Sequence, residues 1–177
     1  PVKALENLRT NHHHIGETPL PANRNIELDG VSGDAIEILA VIDPREAREI
    51  CIDVLRSPGG EETTTIRCLR NGGAVKTKGP ETWHDSMVLD ISRTALLPDV
   101  LAREPEVARF KLQEGELLEL RIFIDKSIVE VFANDKQCVA VRVYPERADS
   151  LGVSLRAQGQ DAILTSLDLW QMETIYR

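Results

Sequence analysis

Leu117-Leu118-Glu119-Leu120-Arg121-Ile122-Phe123-Ile124-Asp125-Lys126-Ser127-Ile128-Val129-Glu130-Val131-Phe132-Ala133-Asn134-Asp135 is the stretch on which the fold turns. Leu118, Leu120, Ile122 and Ile124 fall on one face of an extended chain while Glu119 and Arg121 fall on the other, the period of two that marks a half-buried strand. Asp125-Lys126 turns the chain. Val129, Val131 and Ala133 then share a face opposite Ile128, Glu130 and Phe132, and Asn134-Asp135 supplies the next turn. Gln137 to Tyr144 places Val139, Val141 and Val143 together, opposite Cys138, Ala140, Arg142 and Tyr144. Three strands joined by tight turns make an antiparallel meander. The expected core set is Leu118, Leu120, Ile122, Val129, Val131, Val139, Val141 and Val143, since a slip of one residue would expose all of it.

Outward from the meander, strand character recurs at Asn25 to Leu28, Ala35 to Val41, Glu49 to Leu55, Thr63 to Leu69, Ser86 to Ile91, Ala108 to Leu112, Gly152 to Ala157 and Ala162 to Met172. Pro58-Gly59-Gly60 reads as a turn, and Arg45-Glu46-Ala47-Arg48 after Pro44 as a single helical turn. Residues 71 to 106 carry Gly72-Gly73, Gly79-Pro80 and Pro98, which predicts long surface excursions. Residues 1 to 24 hold a short helical pattern (Val2, Leu5, Leu8) that breaks into a histidine- and proline-containing stretch, read as a linker or an edge segment. With almost no sustained helical period, the expected fold is all-β: a two-sheet antiparallel β-sandwich of the jelly-roll or concanavalin-like kind over 25–177.

A chain of 177 residues supports one substantial core. Its net charge of -8 disfavours a nucleic-acid partner, because a phosphate backbone would be repelled. No run approaches the roughly 20 apolar residues of a membrane span, so no membrane partner is expected. The chain begins at Pro1 and not Met, which leaves the natural start and the localisation open. Cys51, Cys68 and Cys138 lack CxxC spacing and read as buried free thiols, not as a disulfide framework or a zinc ribbon.

The wording of the meander carries more than its period. Leu120 through Asp135 closely resembles the hallmark strand pair in the C-terminal domain of glycoside hydrolase family 32, which contains invertases, inulinases, levanases and fructan exohydrolases. Pro1 to Arg9 resembles the linker that leaves that family's propeller, and Val88 to Arg93 resembles a sandwich strand. Val141-Arg142-Val143-Tyr144-Pro145 and Leu169-Trp170-Gln171-Met172 resemble the closing strands. The resemblance implies a β-sandwich packed against an N-terminal five-bladed β-propeller that does the chemistry, within a retaining β-fructofuranosidase-type enzyme. It also implies a non-catalytic role for this chain. The propeller's acidic motifs do not occur here, and Asp43-Pro44-Arg45 is not Arg-Asp-Pro, since Ile42 stands where the arginine would be.

A retaining glycosidase needs two carboxyl groups about 5 Å apart. Asp125 and Glu130 are the tempting pair, but a turn and a strand position favour structural roles, and no residue is assigned to catalysis. His12, His13 and His14 alternate in direction along an extended chain, so at most two converge without a bend; no metal and no cofactor is expected. Trp83, Trp170 and Tyr144 are the candidates for stacking on sugar rings. The expected partners are the propeller, a fructan or sucrose ligand, and a second copy in a weak homodimer. A free-standing carbohydrate-binding module is the alternative.

Overall fold

Alternation in the sequence becomes strand after strand in the computed structural model. It describes residues 1–75, 82–98, 100 and 103–175, without the side chains of 72–75 and 82–83. A 3-10 helix, Lys3–Leu8, leads into β1 (Arg9–Ile15), β2 (Thr18–Leu20), β3 (Ile26–Ser32), β4 (Ala35–Asp43), β5 (Glu49–Arg56) and β6 (Thr63–Val75). There follow β7 (Thr82–Arg93), β8 (Glu106–Phe110), β9 (Leu118–Asp125), β10 (Ile128–Ala133), β11 (Gln137–Arg142), β12 (Gly152–Gln158) and β13 (Ala162–Met172). Sheet A runs β1-β13-β4-β9-β10-β11 with β2 also on β13, and sheet B runs β3-β12-β5-β6-β7-β8. All pairings between these strands are antiparallel. The expected all-β, two-sheet sandwich is what forms.

The core lies between the sheets as one apolar cluster. Sheet A contributes Ile36, Ile38, Ala40 and Ile42 from β4 and Leu118, Leu120, Ile122 and Ile124 from β9; sheet B answers with Ile50, Ile52 and Val54 from β5, Ile66 from β6 and Leu89 from β7. Each such buried Ile, Leu or Val side chain contributes roughly 1.5–3 kcal/mol. Of the eight residues expected inside, Leu118, Leu120, Ile122, Val129, Val131, Val141 and Val143 are buried. Val139, on the edge strand β11, is only partly buried against the cluster.

The meander keeps its register through its turns. Lys126, Asn134 and Asp135 all take positive φ, which Asn and Asp tolerate better than most residues. Asn134 also locks the second hairpin to the first: Glu119 N–H donates to its Oδ1 (3.0 Å) and its Nδ2 donates to Leu117 O (2.8 Å). At the first turn Asp34 is an anchor among the described residues. Its carbonyl accepts from Lys126 N–H (2.6 Å) and its carboxylate from Lys126 Nζ (2.8 Å).

Several local expectations change. The segment before residue 25 is built into sheet A, because β1 and β2 both hydrogen-bond to β13. Pro44 to Arg48 closes a single turn, Ala47 N–H to Pro44 O (2.9 Å), without forming a helix. β7 starts at Thr82 and not near Ser86, because it pairs with β6 past the irregularity between Leu69 and Gly73. Cys51 and Cys68 are buried free thiols as expected, but Cys138 is exposed. It sits on the outer side of edge strand β11. Burial pushes the Cys51 thiol up to about 12 and raises the Cys68 thiol as well, so neither is a nucleophile near neutral pH.

Candidate functional site

The outer face of sheet A is where the unusual residues collect. Antiparallel register sets them in transverse rows. One row runs Trp170, Glu37, Phe123, Glu130, Ala140; the next runs His14, Asp168, Leu39, Arg121, Phe132, Cys138. Sheet A's other face is aliphatic and belongs to the core, so this face is the one free to meet a partner. Phe123 and Phe132 meet edge to face, with centroids 6.1 Å apart.

Glu37 breaks the apolar run of β4 and points away from the core, yet it is 0% exposed. Arg9 covers it with a two-point contact, Nε to Oε2 (2.8 Å) and Nη2 to Oε1 (2.7 Å), while Arg121 Nε donates to Oε1 (2.6 Å). The Arg9 guanidinium lies 4.1 Å from the centre of the Trp170 ring and that of Arg121 lies 5.3 Å from Phe123. Glu6 of the 3-10 helix approaches Arg121 (3.7 Å) and Arg9 (4.0 Å). Burial alone would push the Glu37 carboxyl up; hydrogen bonds from Arg9 and Arg121 outweigh it and hold the group below the usual carboxylate range. The result is a charged plug that ties the chain start to the middle of sheet A.

Beside the plug, His12 Nε2 and His14 Nδ1 both lie against one oxygen, Asp168 Oδ1, at 2.7 and 2.8 Å. The histidine run lies in a strand paired to β13 and not in a free linker, so positions 12 and 14 share a face opposite Asp168. His12 also stacks on Trp170, centroids 5.0 Å apart and planes 11° from parallel.

Among the described residues Glu62, Glu49 and Asp85 are also buried, and the first two show what such carboxylates do away from this face. Glu62 accepts from the backbone N–H groups of Glu146 and Arg147 (both 3.1 Å) and from Ser150 Oγ (2.6 Å), pinning the segment after β11 to the start of β6. Burial raises the Glu62 carboxyl, but those donors prevail and lower it. Glu49 accepts from Arg67 Nε (2.5 Å) within sheet B. Both act on the fold.

The residues singled out from sequence do not assemble into one platform. Trp170 is on β13 and Tyr144 follows β11, four strand spacings away, or roughly 19 Å. Trp170 is engaged by Arg9 and His12. Tyr144 is 45% exposed beside an open cleft of about 590 Å³ whose wall includes Asp34, Lys126 and Arg147. The Trp83 side chain lies outside the described residues. Asp125 and Glu130 are both exposed on the outer face. What sequence reading missed is Glu37 with its two arginines, and Asp168 as the partner of the histidines. The signal for Glu37 was present: a lone charge within Ile36-Glu37-Ile38 on a strand otherwise apolar to Ile42.

Comparison with known proteins gives a consistent result. Residues 4–171 match the family described as "Glycosyl hydrolases family 32 C terminal". The levanase of Bacillus subtilis (strain 168) is 31% identical over 180 residues, an alignment that covers 99% of this chain and 24% of levanase. The raffinose invertase of Escherichia coli is 49% identical over 63 residues, covering 35% of this chain and 13% of that protein. Among solved structures, fructan 1-exohydrolase IIa from Cichorium intybus superposes with a TM-score of 0.83 at 17% identity, over 98% of this chain and 37% of that one. The fold is therefore shared with the solved structure, and the chain spans only a minor part of the length of each relative.

Proposed function

The chain belongs to the family of C-terminal domains of family 32 glycosyl hydrolases, and from that premise we propose that it is a non-catalytic module of an enzyme acting on β-fructosides. Its role is to pack against an N-terminal catalytic propeller and hold it in place. The observation that carries this reading is the Glu37 plug. A carboxylate fully withdrawn from water on the outer face of a sheet, clamped by Arg9 from the chain start, orders the segment through which an N-terminal module would connect. Around it Phe123, Phe132, Leu39, Val41 and Trp170 are half-buried and Ile128 is exposed, a mixed apolar face of the kind found between domains of one chain.

The names of the relatives, levanase and raffinose invertase among them, support a fructoside as the parent's substrate. The same face, left uncovered, would support weak self-association. A second reading rests on Tyr144: its exposed ring beside a polar cleft would suit a direct contact to a fructan or sucrose, as in a carbohydrate-binding module. The two differ in what binds the chain, not in whether the chain does chemistry.

The purified 177-residue chain is expected to release no fructose from sucrose, inulin or levan. Glu130→Gln in the protein carrying the propeller should leave turnover essentially unchanged, whereas loss of a true acid/base residue lowers it by orders of magnitude. Fructose release by the chain alone would overturn the proposal.

A further inference from the structure

We propose that His12, His14 and Asp168 form a divalent transition-metal site that clips the first strand of the domain to its last. The inference is independent of the reading of the outer face as a docking surface. Among the described residues, this is the His/Cys/Asp/Glu group whose ligand atoms converge, with all three lying within 4.8 Å of one another. Two imidazole nitrogens and one carboxylate oxygen are a donor set suited to Zn²⁺ and its neighbours, and three protein ligands leave a coordination position open.

The geometry is preformed by the backbone. His14 and Asp168 are register partners across β1 and β13, and His12, two residues from His14 along β1, lies on the same face beside the irregularity between Thr10 and His13. Asn11 takes positive φ there. Stacking on Trp170 holds the His12 ring. His13 faces elsewhere, its ring about 3.1 Å from where a side chain on Gly30 would begin.

Without an ion, each ring donates an N–H to Asp168 Oδ1. Ion entry converts those nitrogens to lone-pair donors, and in neutral rings the protons move to Nδ1 of His12 and Nε2 of His14. Tetrahedral bonds of about 2.0–2.1 Å set ligand atoms roughly 3.3 Å apart, so the two contacts must open by about 0.5 Å. Both histidine side chains are about half exposed, 50% and 53%, and can make that adjustment. The ion would join residues 154 and 156 positions apart in sequence, which restrains the open chain strongly.

Titration of the untagged chain with ZnCl₂ by calorimetry, with MgCl₂ as the comparison, tests the site. We expect one Zn²⁺ per chain, no Mg²⁺ binding, and a Tm raised by a few degrees once free Zn²⁺ exceeds its Kd about tenfold. His12→Ala, His14→Ala and Asp168→Asn should each weaken binding by at least about tenfold, the loss that even an outer-shell partner causes. Both histidine variants should keep the native far-UV spectrum, because those side chains are half exposed. His13→Gln should bind Zn²⁺ like the native chain. Absence of a saturable one-to-one isotherm, native affinity in the His12 and His14 variants, or equal loss in His13→Gln would each overturn the proposal.

Discussion

Glu37→Gln is expected to destabilise the domain by about 3–5 kcal/mol, because it removes the buried carboxylate that accepts hydrogen bonds from both Arg9 and Arg121 where both are mostly withdrawn from water, leaving them only the longer contacts to Glu6. For a domain of this size that is a fall in Tm of roughly 10 °C. The loss comes from two guanidinium groups left without their acceptor, not from the intrinsic worth of the pair. Replacing Glu37, Arg9 and Arg121 together by apolar residues of similar volume should therefore cost much less than Glu37→Gln alone. The pH dependence has a definite sign. The folded Glu37 titrates below its unfolded value of about 4.3, so its contribution is complete above that value and is lost as pH falls through the folded one. Glu49, Glu62 and Asp168 are lowered in the same sense and add to acid sensitivity. Urea midpoints between pH 3 and pH 7 should fall on acidification, and less steeply in Glu37→Gln. A Glu37→Gln domain as stable as the native one would show that the plug is not holding the chain start.

The second large effect concerns Phe132. In the isolated chain Phe132→Lys gives up the edge-to-face contact with Phe123 and should cost about 1 kcal/mol. If this face packs on a catalytic propeller as proposed, the same change in the protein carrying that propeller would place a charge in the contact between modules. A central aromatic at such a contact is worth about 2 kcal/mol or more. The difference between the two backgrounds is the quantity to measure. Thermal unfolding of both forms should show the variant penalty growing when the propeller is present, and an equal penalty would place the modules' contact elsewhere.

The sandwich was legible because its strands carry period-two patterning and its turns carry Asn, Asp and Gly at the positions that need them. Leu118 to Ile124 and Val129 to Ala133 are core in the register expected. Alternation loses force at an edge, and there Val139 is only half-buried; Cys138 is exposed on the side where alternation puts it, so it was the reading of that thiol as buried that failed. The first 24 residues read equally as a linker or an edge segment, because β1 and β2 are strands by pairing with β13 more than by their own composition. Glu37 and Asp168 could not be given partners from sequence. The contacts that explain them span 28 and 84 residues in one case and 154 and 156 in the other, and only the sheet order brings those positions together.

Hydroxyl-radical footprinting of the 177-residue chain, compared with the same residues in the protein carrying its N-terminal module, tests the central claim most directly. The account predicts that oxidation of Phe123, Phe132 and Cys138 falls sharply when the propeller is present, while Val107, exposed on β8 of sheet B, keeps its reactivity. Unchanged oxidation across the outer face of sheet A, with protection appearing at Val107 instead, would contradict it.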